Sequence, residues 1–179
     1  MIKLDNDESI VLTKAQRLIL ANQYTIMALI DKQNAKDHEK SREAVTSGYA
    51  SAIGQLFDWI FDGLPEAECS LVIQSMAMYE ALQRSYEALG EEAVAAVGIR
   101  KGQVSYPGFD GNNETEYMAY ARFVRGHEGR FGYLDTVDDC NSHMPMIGRY
   151  RAMLPVWKDQ FDQSYELTVD QMKRLLETR

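Results

Sequence analysis

The sequence predicts an all-α protein: a single multi-helical domain of about six main helices, with one short extended segment near 103–107. Three observations carry this prediction. Only four of the 179 residues are proline, the residue that helix interiors exclude. Two capping boxes occur, Thr13-Lys14-Ala15-Gln16 and Thr168-Val169-Asp170-Gln171, in which the threonine hydroxyl and the glutamine side chain each satisfy a free backbone N–H. Apolar residues recur at spacings of three and four over long stretches, the period of one helix face.

The elements follow in chain order. Residues 1–11 are polar and acidic and read as a loose arm; the helical domain occupies 12–179. Thr13 opens a helix that runs to about Ile30 and is apolar on more than one side, which suits a central helix or one shared with another subunit. Within it, Asn22 and Gln23 are expected either to fix helix register or to line a polar pocket. A second, polar helix starts at Asn34 and meets Gly48, and Tyr49 to Phe61 reads as helical again. Pro65 suits a first helical turn, and Glu66 and Glu68 favour its positive end. The helix that follows carries Cys69, Val72, Ile73, Met76, Tyr79, Leu82, Tyr86 and Leu89 as one stripe and stops at Gly90.

Glu91 to Val97 suggests a short helix, and Gln103 to Tyr106 an extended stretch before the Pro107-Gly108 turn. Asn113, with Glu116 three residues on, opens a helix through about Glu128. After a polar loop at 132–143, Pro145 reopens a helix bearing Ile147, Tyr150, Leu154, Trp157 and Phe161, which Pro155 should kink. Thr168 then caps the last helix, with Leu167 stapled onto Met172.

Charge and composition exclude several classes. The net charge of −8 opposes a nucleic-acid backbone unless a local basic patch offsets it. Two cysteines, Cys69 and Cys140, cannot build a disulfide framework. The opening MIKLDNDESI places charges where a signal peptide needs an apolar core, and the run Leu18 to Ile30 is too short and too interrupted to span a bilayer. The expectation is a soluble, reduced, cytoplasmic protein without a membrane partner. Cys140 and His143 have a C-x-x-H spacing, but neither Cys69 nor His127 supplies the second close pair of a zinc site. The acidic loop Asp135 to Asp139 lacks the glycine and glutamate of a calcium loop. No P-loop, dinucleotide fingerprint or nucleophile elbow is present. No metal and no cofactor are expected.

Three blocks are more specific than generic helices: TKAQRLILANQY at 13–24, GFDGNNETEYMAYARFVRGHEGRF at 108–131, and RYRAMLPVW to YELTVDQMKRLL across 149–176. Together they resemble the YfbU family of uncharacterised bacterial proteins, over nearly the whole chain from Leu12. Pro155 and the Ala/Val-rich run at 93–97 depart from that pattern. The resemblance implies a helical cytoplasmic protein that self-associates, and it supplies no catalytic residues.

The expected function is a self-associating interaction or regulatory module without catalysis: a homo-oligomer, dimer or larger, whose further partner is a protein or an anionic small molecule. Two alternatives stay open. One is a small-molecule or nucleotide-binding enzyme with a pocket formed by Arg122, Glu128, Arg130 and Tyr24, where arginines offer planar donors and the flanking glycines permit close backbone approach. The other is a nucleic-acid regulator using the 122–130 basic cluster with its interleaved aromatics, which the acidic composition disfavours. The terminal capping box yields a test. Thr168→Ala is expected to cost about 1 kcal/mol of stability, seen as a lower denaturation midpoint at unchanged slope.

Overall fold

The computed structural model describes residues 10–178 other than 91, 92, 94, 95, 127 and 128. Its fold is all-α. Six of its helices exceed one or two turns: α1 (Lys14–Ile30), α2 (Ala35–Ser47), α4 (Glu66–Leu89), α6 (Thr115–Gly126), α7 (Ile147–Pro155) and α8 (Val169–Glu177). Two are short, α3 (Ala50–Gln55) and α5 (Lys101–Val104). The contacts divide the chain into two compact units, Met1–Asp62 and Gly63–Arg179, where the sequence suggests one domain from Leu12 onward.

In the first unit α1 and α2 form a helical hairpin. The Thr13–Gln16 capping box is present: the Gln16 N–H donates to Thr13 Oγ1 at 3.2 Å, and the Thr13 N–H donates to Gln16 Oε1 at 2.9 Å. Asp31 makes the connection, accepting from the Asn34 N–H at 3.2 Å and the Asn34 side-chain amide at 2.9 Å. These bonds, with His38 beside them, hold its carboxyl below the ordinary value. At the far end Arg17 reaches across from α1. Its guanidinium donates to the Val45 and Thr46 carbonyls, which the helix leaves unsatisfied. Gly48 ends α2 in the left-handed region (φ 77°), and a Cβ there would lie 2.9 Å from that guanidinium.

The core of this unit is small: Ala21, Val45 and Ile53, with Leu12, Leu20, Tyr24, Leu56 and Phe57 packed around it. Two expectations change here. The helix after Gly48 stops at Gln55 and gives way to turns, because Asp58 and Asp62-Gly63 interrupt the apolar pattern with turn-forming residues. Asn22 and Gln23 are exposed rather than buried.

In the second unit α4 packs against α5, α6 and α7. Its predicted stripe holds. Val72, Met76, Tyr79, Leu82 and Tyr86 are buried, Cys69 and Ile73 half-buried, and only Leu89, at the frayed end, is exposed. Tyr79, Tyr106 and Tyr150 meet at the centre, with ring centroids 5.4–6.0 Å apart. Such buried rings need hydroxyl partners. Tyr150 donates to the Gly108 carbonyl at 2.7 Å, and Tyr106 lies 3.0 Å from Ser75 Oγ. Burial pushes both phenols up from their ordinary value, so they stay neutral.

No strand forms among the described residues. The extended stretch expected near 103–107 is displaced towards Tyr106–Phe109, and Gln103 and Val104 belong to α5. It makes two isolated parallel bridges, Tyr106 with Thr136 and Phe109 with Asn141. Gly108 (φ 79°) sits so close to residue 140 that a Cβ would lie 1.9 Å from the Cys140 carbonyl oxygen. No other residue fits there without moving the loop.

The loop between Gly108 and α6 is closed by carboxylates. Asp110 accepts from the Asn112 N–H at 3.0 Å and from the Asn113 amide, which hold its carboxyl below the ordinary value. Glu114 is buried, 6% exposed, and spans two elements. Its carboxylate accepts from the Asp110 N–H at 3.1 Å, the Met146 N–H at 2.8 Å and the Ile147 N–H at 2.9 Å. The last two are free N–H groups at the start of α7, so a residue at the start of α6 caps a helix more than thirty residues later.

The C-terminal part also follows its sequence signals. Pro155 is the last residue of α7. It has no N–H to donate back along the helix, and the chain passes at once into a π-helical turn, Val156–Gln160. Thr168 caps α8 by accepting from the Gln171 N–H at 3.4 Å, while the Thr168 N–H donates to Gln171 Oε1 at 2.9 Å. Leu167 and Met172 are both buried. Ser85 on α4 accepts the Leu167 N–H at 2.8 Å, and Arg149 donates to the Leu176 carbonyl at 3.0 Å, so α8 is pinned at both ends. Of the predicted 91–97 helix, residues 91, 92, 94 and 95 lie outside the described residues, as does 1–9 of the predicted arm.

Glu114→Gln is expected to destabilise the protein by about 3 kcal/mol, because an amide NH2 would replace one acceptor oxygen and face backbone donors. The exposed control Glu116→Gln should stay within about 0.5 kcal/mol. Urea denaturation of both variants at equal slope makes the comparison.

Candidate functional site

The four residues singled out from sequence fall in different places. Arg122, on α6, is engaged by Asp139: its Nε donates to Asp139 Oδ2 at 2.9 Å and to the Asp139 carbonyl at 2.8 Å. Arg125 approaches the same carboxylate at 3.5 Å, with the Leu134 carbonyl at 3.5 Å from its other terminal nitrogen. Arg130 is exposed, its guanidinium 5.2 Å from the Phe131 ring centroid. Tyr24 is half-buried in the first unit, against the Ala21, Val45 and Ile53 cluster. Glu128, with His127, lies outside the described residues. The structure therefore gathers Arg122 and Arg125 on one carboxylate and assigns Tyr24 to the other unit.

The acceptor loop is itself unusual. Asp138, Asp139 and Cys140 have φ of 38°, 49° and 65°, a left-handed run that side-chain-bearing residues rarely adopt. Its surroundings enforce it. The Phe109 N–H donates to the Cys140 carbonyl at 2.9 Å, the Ser142 N–H donates to the Phe109 carbonyl at 3.1 Å, and the two arginines close it from α6. Cys140 is fully buried, and that burial pushes its thiol up despite the nearby Arg125. His143 pairs with Asp138 at 2.6 Å instead of turning towards Cys140. Among the described residues no three His, Cys, Asp or Glu side chains converge as metal ligands.

A concave surface lies elsewhere in the second unit. Glu80, Gln83, Arg84 and Glu87 repeat at helical spacing along one side of α4 and face the loop 129–135. Two adjoining clefts result. One of about 310 Å³ lies between Gln83, Glu87, Lys101, Val104 and Tyr133. The other, about 240 Å³, is bounded by Gly129, Phe131, Gly132 and Leu134. Gln83, Glu87 and Tyr133 border both.

Gln83 sets the width of this gap. Its amide donates to the Val104 carbonyl at 3.0 Å and the Asp135 carbonyl at 2.8 Å, and accepts the Asp135 N–H at 2.9 Å. Ser105 donates to the Asp135 carboxylate at 2.6 Å. Tyr133, between the clefts, is wholly exposed. Sequence reasoning passed over these residues because they form the polar side of α4, which reads as a solvated face. The glycines at 129 and 132 were the available signal, since they mark a loop that turns sharply, with Gly129 in the left-handed region (φ 66°).

A third feature belongs to the first unit. Leu18, Ile19, Ile26, Met27, Leu29 and Ile30 of α1 are exposed, as are Trp59, Ile60 and Phe61.

Comparison with known proteins places the whole described chain in one group. The YfbU domain profile matches residues 10–178. A UPF0304 protein of Mannheimia succiniciproducens is 34% identical over 166 residues, covering 92% of this chain and 98% of the relative. The UPF0304 protein of Pasteurella multocida is 33% identical over the same length, again covering 92% and 98%. That of Methanocaldococcus jannaschii is 31% identical over 170 residues, covering 93% and 99%. The last is archaeal, so the kinship is wider than the bacterial one that the sequence resemblance implied. The profile covers the described residues and the relatives align over nearly their full length, so the chain belongs to the YfbU family.

Proposed function

We propose that this protein is a self-associating interaction or regulatory module of the cytoplasm, without catalysis, and that its first unit carries the association surface. The observation behind this reading is the imbalance of that unit. Among the described residues four apolar ones are buried in it, Ala21, Ala44, Val45 and Ile53, while nine large apolar residues of α1 and of the stretch Trp59–Phe61 face solvent. So small a core gives little stability by itself. A second copy laid along α1 would bury Ile19, Ile26 and Ile30, which recur at spacings of seven and four residues as a coiled-coil seam requires.

Asn22 and Gln23 lie within this exposed region. In a helix pair their amides would bond across the seam and fix its register. Both cysteines are free, which suits a reducing compartment. No helix among the described residues is long and apolar enough to cross a membrane. The Asp139 carboxylate engages Arg122 and Arg125, which weighs against an anion pocket or a phosphate-binding face at 122–130.

Light scattering and sedimentation equilibrium at micromolar concentration test the reading. The wild type is expected to be a dimer or larger. Replacing Ile19 and Ile26 together by glutamate should weaken association by about a hundredfold or more, with the helical circular dichroism of the second unit retained. A wild type that stays monomeric would overturn it.

A further inference from the structure

We infer that the paired clefts beside Tyr133 form a binding site for a zwitterion carrying an apolar side chain, an α-amino acid or a short peptide with free ends. The inference is independent of self-association, since all of its residues belong to the second unit.

The chemistry follows from which lining groups are already committed. The Gln83 amide is used in three hydrogen bonds to backbone, and the Asp135 carboxylate accepts from Ser105. Arg84 pairs with Glu80 at 2.9 Å and lies over the Tyr165 ring at 5.4 Å. Glu87 and Lys101 remain, and Asp135 keeps its negative charge, since a serine hydroxyl does not offset it. Glu87 and Lys101 stand on different elements, α4 and the start of α5, and line the same 310 Å³ space. Among the described residues the two do not form an ion pair with each other or with a third group. A single molecule with an ammonium for Glu87 and a carboxylate for Lys101 would satisfy both walls. A simple anion would leave both carboxylates unmatched, and a simple cation would leave Lys101 unmatched.

The second lobe supplies the selectivity. It opens off the same residues, with Phe131, Tyr133 and Leu134 on the loop side and the polar side chains of Glu80 and Arg84 on the α4 side. Gly129 and Gly132 contribute backbone without side chains, which keeps the lobe open. An aromatic or branched aliphatic side chain fits there, stacked on the exposed Tyr133 ring. The first cleft lies at the lower end of the size range of small-molecule sites, which favours a ligand no larger than a dipeptide.

Isothermal titration calorimetry of the full chain provides the test, with phenylalanine, leucine and glycyl-phenylalanine as probes. N-acetylphenylalanine lacks the ammonium, and phenylalaninamide lacks the carboxylate. A free zwitterion is expected to bind at least about tenfold more tightly than either blocked analogue. Glu87→Gln should abolish the discrimination against the acetylated probe and keep that against the amide. Lys101→Met should do the reverse. Both side chains are exposed, so an unchanged melting temperature confirms that each variant is folded. Tighter binding of the dipeptide or of the free amino acid identifies the form of the ligand. Absence of binding by every zwitterion at millimolar concentration, or binding indifferent to both substitutions, would overturn the inference.

Discussion

The second unit depends on one buried carboxylate. Glu114 sits where the extended segment, α6 and α7 meet, and it satisfies backbone donors from two of them. An isolated charge of this kind would be costly in an apolar interior. Here three N–H groups compensate it, two of them at the positive end of a helix. Because α7 is oriented at its first turn, Tyr150 reaches the Gly108 carbonyl, Arg149 reaches the end of α8, and Arg151 reaches Glu68 on α4 at 2.8 Å. The tyrosine cluster therefore forms around a helix whose direction a distant glutamate has set.

The same logic explains the three sequence blocks that resemble the family. Their specific residues are architectural in this structure. Thr13 and Gln16 cap α1, and Arg17 closes the end of α2. Gly108 makes room for the Cys140 carbonyl, Asp110 and Glu114 close their loop, and Arg122 holds the left-handed run at Asp139. In the last block Trp157 donates to the Ser164 carbonyl at 3.0 Å, and Thr168 caps α8. A family signature built from such residues identifies a fold and is silent about a ligand. Arg122 reads as a ligand arginine because a fork of donors beside glycines suits an anion; in this structure its guanidinium is paired with the Asp139 carboxylate.

The two units divide the physical problem differently. The second surrounds α4 with other elements and buries long aromatic and methionine side chains completely. The first is a hairpin in which, among the described residues, only Ala21, Ala44, Val45 and Ile53 are buried, and six large apolar side chains of α1 are in contact with water. The fully buried aromatic and methionine side chains thus lie after Gly63, and the exposed apolar side chains of α1 lie before it. The cleft beside Tyr133 lies in the more heavily packed unit, where α4 and the Gln83 bonds give its walls fixed positions.

Local chemistry determined much that the sequence alone could show. Helix starts at Thr13 and Thr168, the stop at Gly90, the stripe on α4 and the interruption at Pro155 are all legible because each is decided within about one helical turn. The family was legible too, through residues whose spacing reflects those local demands. What lies between distant residues was not. Glu114 reads as an ordinary first-turn acid until Met146 and Ile147 come to it, and Gln83 reads as a solvated position until Asp135 does. The tertiary structure alone decided that Arg122 meets Asp139, that Tyr24 belongs to a different unit, and that α1 keeps its apolar side exposed. The reason is physical: periodicity reveals that a helix has an apolar face, but which partner covers that face, and which buried donor a carboxylate meets, depends on packing between segments far apart in the chain.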